Sequence, residues 1–84
     1  MAEKRIVAEL KRCLCEAQGR VVRFTMMDKR ELEKYSMSDS DRINHKARAL
    51  GERNAYKNAL KLLGVREGEV QELIDAVKIR AVGE

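Results

Sequence analysis

The sequence contains no proline and no tryptophan, and it has only one phenylalanine and two tyrosines among 84 residues. Since aromatic side chains contribute much of the buried area of most cores, this core has to be aliphatic. No apolar run approaches the roughly 20 residues of a membrane-spanning helix, and no N-terminal segment has the features of a signal peptide. We therefore expect a single small cytoplasmic domain over residues 1–84, with no membrane contact.

Cysteine is also scarce, because Cys13 and Cys15 are the only two. Side chains two positions apart on a helix point about 200° away from each other, so these two cannot form a disulfide with one another. Secreted domains of this size usually carry several disulfides, which again favours a reducing cytoplasm. A structural zinc site needs four ligands, and His45 is the only histidine. We expect no bound metal.

Amphipathic helices are predicted at both ends of the chain. The first helix is predicted to end at Gly19, because glycine is a typical helix-terminating residue. The last helix is predicted over about residues 67–82. The apolar stripe of the first helix comprises Ile6, Val7, Leu10, Cys13, Leu14 and Ala17, and that of the last comprises Val70, Leu73, Ile74, Val77 and Ala81.

Residues 21–27 are rich in β-branched residues and follow a glycine, so they predict a strand. A strand needs a partner for its backbone groups, and two partners fit the sequence. A turn at 28–31 would pair the strand with residues 32–37 in a short β-hairpin that places Phe24 opposite Tyr35.

The second alternative makes residues 29–35 a short helix. Asp28 would be its N-cap, Glu31 would complete a capping box, and Met27 with Leu32 would form a hydrophobic staple. The strand would then pair with a second copy of itself across a dimer axis.

A long helix is predicted from Asp39 to Leu63, between a capping box formed by Ser38 and Asp41 and a terminating Gly64. Its 25 residues would span about 37 Å, longer than the roughly 30 Å diameter of a compact domain of this size. Its apolar positions change faces near the glycine at position 51. The helix therefore either kinks at that glycine or stays straight and packs against different neighbours in its two halves, one of them another subunit.

Together these elements predict a mostly helical α+β fold. The order is a helix, a β-hairpin (or a single strand plus a short helix), a long helix that is kinked at Gly51 in one of the two alternatives, and a C-terminal helix. The net charge of +4 is unevenly distributed, since residues 38–64 carry +3 and residues 65–84 carry −2, so the long helix is basic and the last helix is acidic. Five basic residues share one side of the long helix, and they are Arg42, Lys46, Arg53, Lys57 and Lys61. Such a stripe is typical of a solvated face or of a surface that contacts phosphates.

Two functions follow from these features. The first is a protein-interaction module that acts as a homo-oligomer or docks on a larger protein, with candidate interface residues Val22, Phe24, Met26, Ile43, Ala47, Leu50 and Tyr56. The second is a small dimeric nucleic-acid-binding protein that uses the basic stripe. The sequence contains no glycine-rich phosphate loop and no catalytic constellation, so we expect no enzyme activity, no cofactor and no small-molecule substrate.

The strand alternative also resembles a known family. A strand carrying Arg23 and Thr25, then a short helix and a longer helix, is similar in order to the ribbon-helix-helix family. The resemblance covers about half the chain and implies that strands paired across a dimer enter the major groove, with Arg23 and Thr25 contacting bases. The chain departs from the family in its full first helix and in the turn between the later helices, which lacks a Gly-x-Ser/Thr pattern. The order helix, hairpin, helix also resembles a phage head–tail joining family, and the composition is typical of small phage or mobile-element proteins.

Overall fold

The computed structural model describes the backbone of residues 2–83 and the side chains of residues 3–77. It contains four helices, α1 (Ala2–Met26), α2 (Lys29–Lys34), α3 (Asp39–Leu62) and α4 (Glu67–Gly83). Residues 2–83 contain no strand, so the predicted α+β fold and its β-hairpin are wrong. No helix in the described part is long and apolar enough to cross a membrane.

The predicted strand is the last part of α1, which continues through Gly19 to Met26. The reason is burial, because Val21 and Val22 are only 7% and 8% exposed and continue the helical apolar stripe that includes Leu14. Tertiary burial of this stripe therefore outweighs the local β-propensity of the two valines. Thr25 fits the helix as well, since its hydroxyl donates to the Val21 carbonyl at 2.7 Å.

The short helix of the second alternative is present as α2, whereas the strand that this alternative also required is helical. The Asp28 side chain caps α2 by accepting a hydrogen bond from the Glu31 backbone N–H at 2.9 Å. Met27 is buried, and it lines the same surface groove as Leu32. This is the arrangement that a hydrophobic staple requires at the start of a helix.

Both ends of α3 form as predicted. The Ser38 hydroxyl accepts from the Asp41 N–H, and the Asp41 carboxylate accepts from the Ser38 N–H, each at 3.1 Å. At the other end Gly64 has φ +89°, and the Val65 N–H donates to the Leu60 carbonyl at 3.0 Å, as in a Schellman motif. The predicted kink does not interrupt the helix, because α3 continues through residue 51.

The core lies towards one end of an elongated molecule that measures 46 × 24 × 18 Å. Its radius of gyration is 14.4 Å, whereas a compact chain of this length has about 12 Å. The core is formed by side chains from the first half of α1, the second half of α3 and helix α4. Its fully buried or nearly buried members are Leu14, Leu60, Val70 and Ile74, with Val7, Leu10, Tyr56, Val65 and Leu73 packed around them.

No helix of the described residues 2–83 lies across the remaining half of the α1–α3 pair. The two grooves along residues 18–26 of α1 and 45–53 of α3 are lined by these two helices alone. Helix α4 packs mainly on α1 and makes only limited contact with α3. The fold therefore leaves a long stretch of α3 available on two sides.

Two glycine substitutions test the continuity of α1 and the end of α3. A Cβ at Gly19 would meet nothing within 4 Å and the backbone is helical there, so Gly19→Ala should stabilise the protein by about 0.5–1 kcal/mol. The same change at Gly64 imposes a left-handed conformation on alanine and should cost about 1 kcal/mol. Urea unfolding measures both, and destabilisation by Gly19→Ala would show that α1 ends there.

The capping box at the start of α3 predicts a pH dependence of stability. The Ser38 backbone N–H, helped by the Ser38 side chain, lowers the pKa of Asp41 below its usual 3.8. Because the folded pKa is the lower one, the stabilisation is present above the unfolded pKa and is lost as the pH falls through the folded value. Asp41→Asn should therefore lower the midpoint of thermal unfolding at pH 7 and have a smaller effect near pH 3. An equal effect at both pH values would contradict this role.

Candidate interaction surfaces of helix α3

Helices α1 and α3 are antiparallel neighbours. Gln18 near the middle of α1 contacts Arg53, whereas Phe24 near its end contacts Arg42 at the start of α3. Arg20 forms an ion pair of 2.6 Å with Glu52 between these two contacts. One side of α3 is therefore committed to α1, and the sides that remain define the candidate surfaces.

Two residues of the predicted basic stripe hold α1 in place. Arg53 Nη1 donates to Gln18 Oε1 at 3.1 Å, and Gln18 is 4% exposed. Arg42 Nη1 donates to the Phe24 carbonyl at 3.1 Å in the last turn of α1, where carbonyls lack helical partners. These guanidinium groups satisfy polar atoms of α1, so they have a structural role in addition to their charge.

Next to this contact lies a groove that we call the basic groove. It has a volume of about 410 Å³ and is lined by Gln18, Val21, Val22, Thr25 and Met26 of α1 and by Lys46 and Arg53 of α3. Met26 is 54% exposed, and the lining is mainly apolar. No carboxylate in the described part of the chain lies within ion-pair distance of Lys46, Arg53 or Lys57. The basic groove thus contains residues from both hypotheses. Val22 and Met26 were predicted at a protein interface, whereas Lys46 and Arg53 belong to the basic stripe.

The opposite side of the α1–α3 pair carries a second groove. Phe24 stacks on His45 there, with ring centroids 5.3 Å apart, and Arg48 lines the same groove. This contact accounts for Phe24, which we predicted at an interface. Two other predicted interface residues lie inside the fold, since Tyr56 packs against the core and Leu50 is half-buried.

The residues of the ribbon-helix-helix resemblance do not form a reading face. Arg23 and Thr25 lie in the last turns of α1, and the Arg23 guanidinium lies 5.7 Å from the centre of the Tyr35 ring. Without a strand, the resemblance to that family is wrong, and so is the likeness to the phage family that depends on a hairpin.

At the end of the basic stripe, Lys61 approaches Glu67 at 3.9 Å.

The outer side of α3 is exposed and, apart from Lys61 near its end, carries no charged residue, and we call it the uncharged face. Its members all lie within about 120° of the helix circumference at 100° per residue. They are Ile43, Asn44, Ala47, Gly51, Asn54, Ala55, Asn58 and Leu62. Ile43 is 54% exposed and Leu62 is 88% exposed. In a chain with 38% charged residues, a face of this length with only one charged residue is a distinct feature.

The uncharged face is also nearly symmetric along the chain. Ala47 and Ala55 lie four residues on either side of Gly51, and Asn44 and Asn58 lie seven residues on either side. Ile43 and Ala47 were predicted at an interface, but the face as a whole was not predicted from the sequence. Its asparagines are polar, so they do not belong to any apolar stripe. The signal that identifies the face is the absence of charge at helical spacing.

Comparison with protein-family models, curated proteins and solved structures found no match to this chain. Within the described residues, no three His, Cys, Asp or Glu side chains group in a way that could hold a metal ion. Cys13 and Cys15 are both half-buried free thiols.

A double-mutant cycle tests the contact between Arg53 and Gln18. Arg53→Met leaves the buried Gln18 Oε1 without its donor and should destabilise the protein by about 1–3 kcal/mol. Combining it with Gln18→Met removes both polar partners and should recover most of that loss. Urea unfolding of the four proteins gives the coupling free energy, and additive effects would show that the contact contributes nothing.

Proposed function

We propose that the protein is a cytoplasmic protein-interaction module that acts as a homodimer through the uncharged face of α3. The observation that carries this proposal is the exposed stripe from Ile43 to Asn58, which lacks charge along about four turns of helix. Contact centres between proteins are depleted of charged residues, and exposed apolar patches mark interaction sites. Two free thiols and the absence of a disulfide fit a reducing compartment.

The symmetry of the face supports a second copy as the partner. A twofold contact uses the same patch on both subunits, so that patch has to be complementary to itself. In an antiparallel pair centred on Gly51, Ala47 of each copy lies opposite Ala55 of the other. The same arrangement brings Asn44 of each copy to Asn58 of the other, where their amides can exchange hydrogen bonds.

Residue size supports the same contact. Glycine and alanine at its centre allow two helices to approach to the short end of the usual 8–10 Å range of axis separations. Ile43 and Leu62 lie near the ends of the face and would be removed from water by the second copy. A small elongated domain with a core at one end gains stability from such burial.

Nucleic-acid binding through the basic stripe has less support. Arg42 and Arg53 donate to groups of α1, and Lys61 lies near Glu67. Contacts with phosphates would have to compete with these intramolecular ones. We therefore retain the protein-interaction function as the better supported of the two.

Sedimentation equilibrium over a range of concentrations tests the homodimer. Ala47→Glu should raise the dimer dissociation constant more than about tenfold, because it places two carboxylates per dimer in an apolar contact. Ala76→Glu makes the same change at an exposed position of α4 and should alter the constant less than about twofold. The double change Ala47→Glu with Ala55→Lys should restore dimerisation, since the opposite charges then meet.

The charge exchange also tests the orientation. In a parallel dimer residue 47 would meet residue 47, so the double change would restore nothing and the antiparallel arrangement would be wrong. A wild-type chain that stays monomeric up to about 1 mM would have an association free energy weaker than about −4 kcal/mol, which would refute the homodimer.

A further inference from the structure

The basic groove between α1 and α3 has an apolar lining, with Met26 exposed, beside cations for which no carboxylate partner is found in the described chain. We infer that it docks an acidic amphipathic helix of another protein, with apolar side chains over Val22 and Met26 and carboxylates against Lys46, Arg53 and Lys57. This second surface is separate from the proposed dimer contact and does not depend on it.

The charge pattern of the groove specifies the chemistry of the partner. Lys46 and Arg53 line the α3 side of the groove, where Arg53 also donates to Gln18. Lys57 continues the row one turn beyond Arg53, so the three cations extend over about 16 Å at the helical rise of 1.5 Å per residue. None of them has a carboxylate within ion-pair distance among the described residues. A helix with carboxylates one and two turns apart matches this row of cations.

The apolar floor argues for a helix with one apolar side. Val22 is 8% exposed and forms the bottom of the groove, whereas Met26 is 54% exposed at its edge. Methionine adapts its shape to different neighbours and is common at surfaces that bind amphipathic helices. A nucleic-acid duplex would use the cations but would leave this apolar floor without a function.

The chain itself contains an example of such docking. Helix α4 is acidic in its first turn, and its Val70 and Ile74 pack against Leu14 of α1 and Leu60 of α3. Glu69 at the edge of this contact forms a 2.7 Å ion pair with Lys11. The end of the α1–α3 pair that contains Leu14 and Leu60 thus binds an acidic amphipathic helix. It does so through apolar contacts and through one flanking carboxylate–lysine pair. The basic groove offers the same chemistry at the other end of the pair, where no helix of the described chain lies.

A peptide titration followed by NMR tests the inference with the full ¹⁵N-labelled protein. The probe is a designed helical peptide of about 18 residues, with leucines at i, i+3, i+4 and i+7 on one side and glutamates beside them. We expect chemical-shift changes confined to residues 18–26 and 46–57. Two matched peptides, one with lysine for every glutamate and one with alanine for every leucine, should bind at least about tenfold more weakly.

Two charge reversals on α3 locate the site. Lys46→Glu should weaken peptide binding about five- to tenfold, and Lys57→Glu, at the end of the row, should weaken it by a smaller factor. Arg48→Glu makes the same reversal on the same helix but lies in the groove of Phe24 and His45, so it should change binding less than about twofold. Unchanged helical circular dichroism in all three variants shows that they are folded.

Three outcomes would overturn the inference. One is equal weakening by Lys46→Glu and Arg48→Glu, which would indicate non-specific attraction of charge, and another is a set of shifts that lies outside the groove. The third is tighter binding of a short DNA duplex than of the acidic peptide at the same residues, which would make the groove a nucleic-acid site.

Peptide binding that persists in the Ala47→Glu variant separates this inference from the homodimer, because that change affects only the uncharged face.

Discussion

The structure depends on the antiparallel pairing of two helices that are too long for the rest of the chain to cover. At 1.5 Å per residue, α1 and α3 each extend about 36 Å, whereas α4 is shorter and packs with the cluster around Leu14 and Leu60. The pair needs contacts of its own beyond that cluster. Ala49 supplies close packing there, and the Arg53–Gln18 hydrogen bond satisfies the buried amide oxygen. The two sides of α3 that remain open are a direct consequence of this mismatch in length.

Local interactions explain what the sequence predicted well. The ends of α3 follow from Ser38, Asp41 and Gly64, whose effects are set within a few residues and need no tertiary information. The short helix α2 was one of two alternatives, and it exists because Asp28 provides its cap. The strand at residues 21–27 was wrong for the opposite reason. Val21 and Val22 favour a strand locally, but their burial against α3 is a long-range effect that single-sequence propensity does not contain.

The change of apolar face near Gly51 has a similar explanation. The sequence left two explanations open, a kink at Gly51 or a straight helix whose halves pack against different neighbours. In the structure the helix continues, Leu60 faces the core, and Ile43 with Ala47 faces outward. The basic stripe follows one side of the helix, but the sequence could not separate Arg53, which donates to Gln18 of α1, from Lys46, which borders an open groove. That distinction depends on how far each side chain reaches across to α1.

The two proposed surfaces are compatible because they lie on different sides of one helix. Lys46 and Ala47 are consecutive, but successive residues on a helix point about 100° apart, so one borders the groove and the other lies on the uncharged face. A second copy seated on Ala47 and Gly51 would leave the floor at Val22 and Met26 accessible. A twofold dimer would then present two identical grooves related by symmetry. A partner with two acidic helices joined by a linker of suitable length would bind both, and the second contact would gain from effective concentration without any new interaction. An arrangement of this kind would allow a small domain with modest individual grooves to bind its partner firmly.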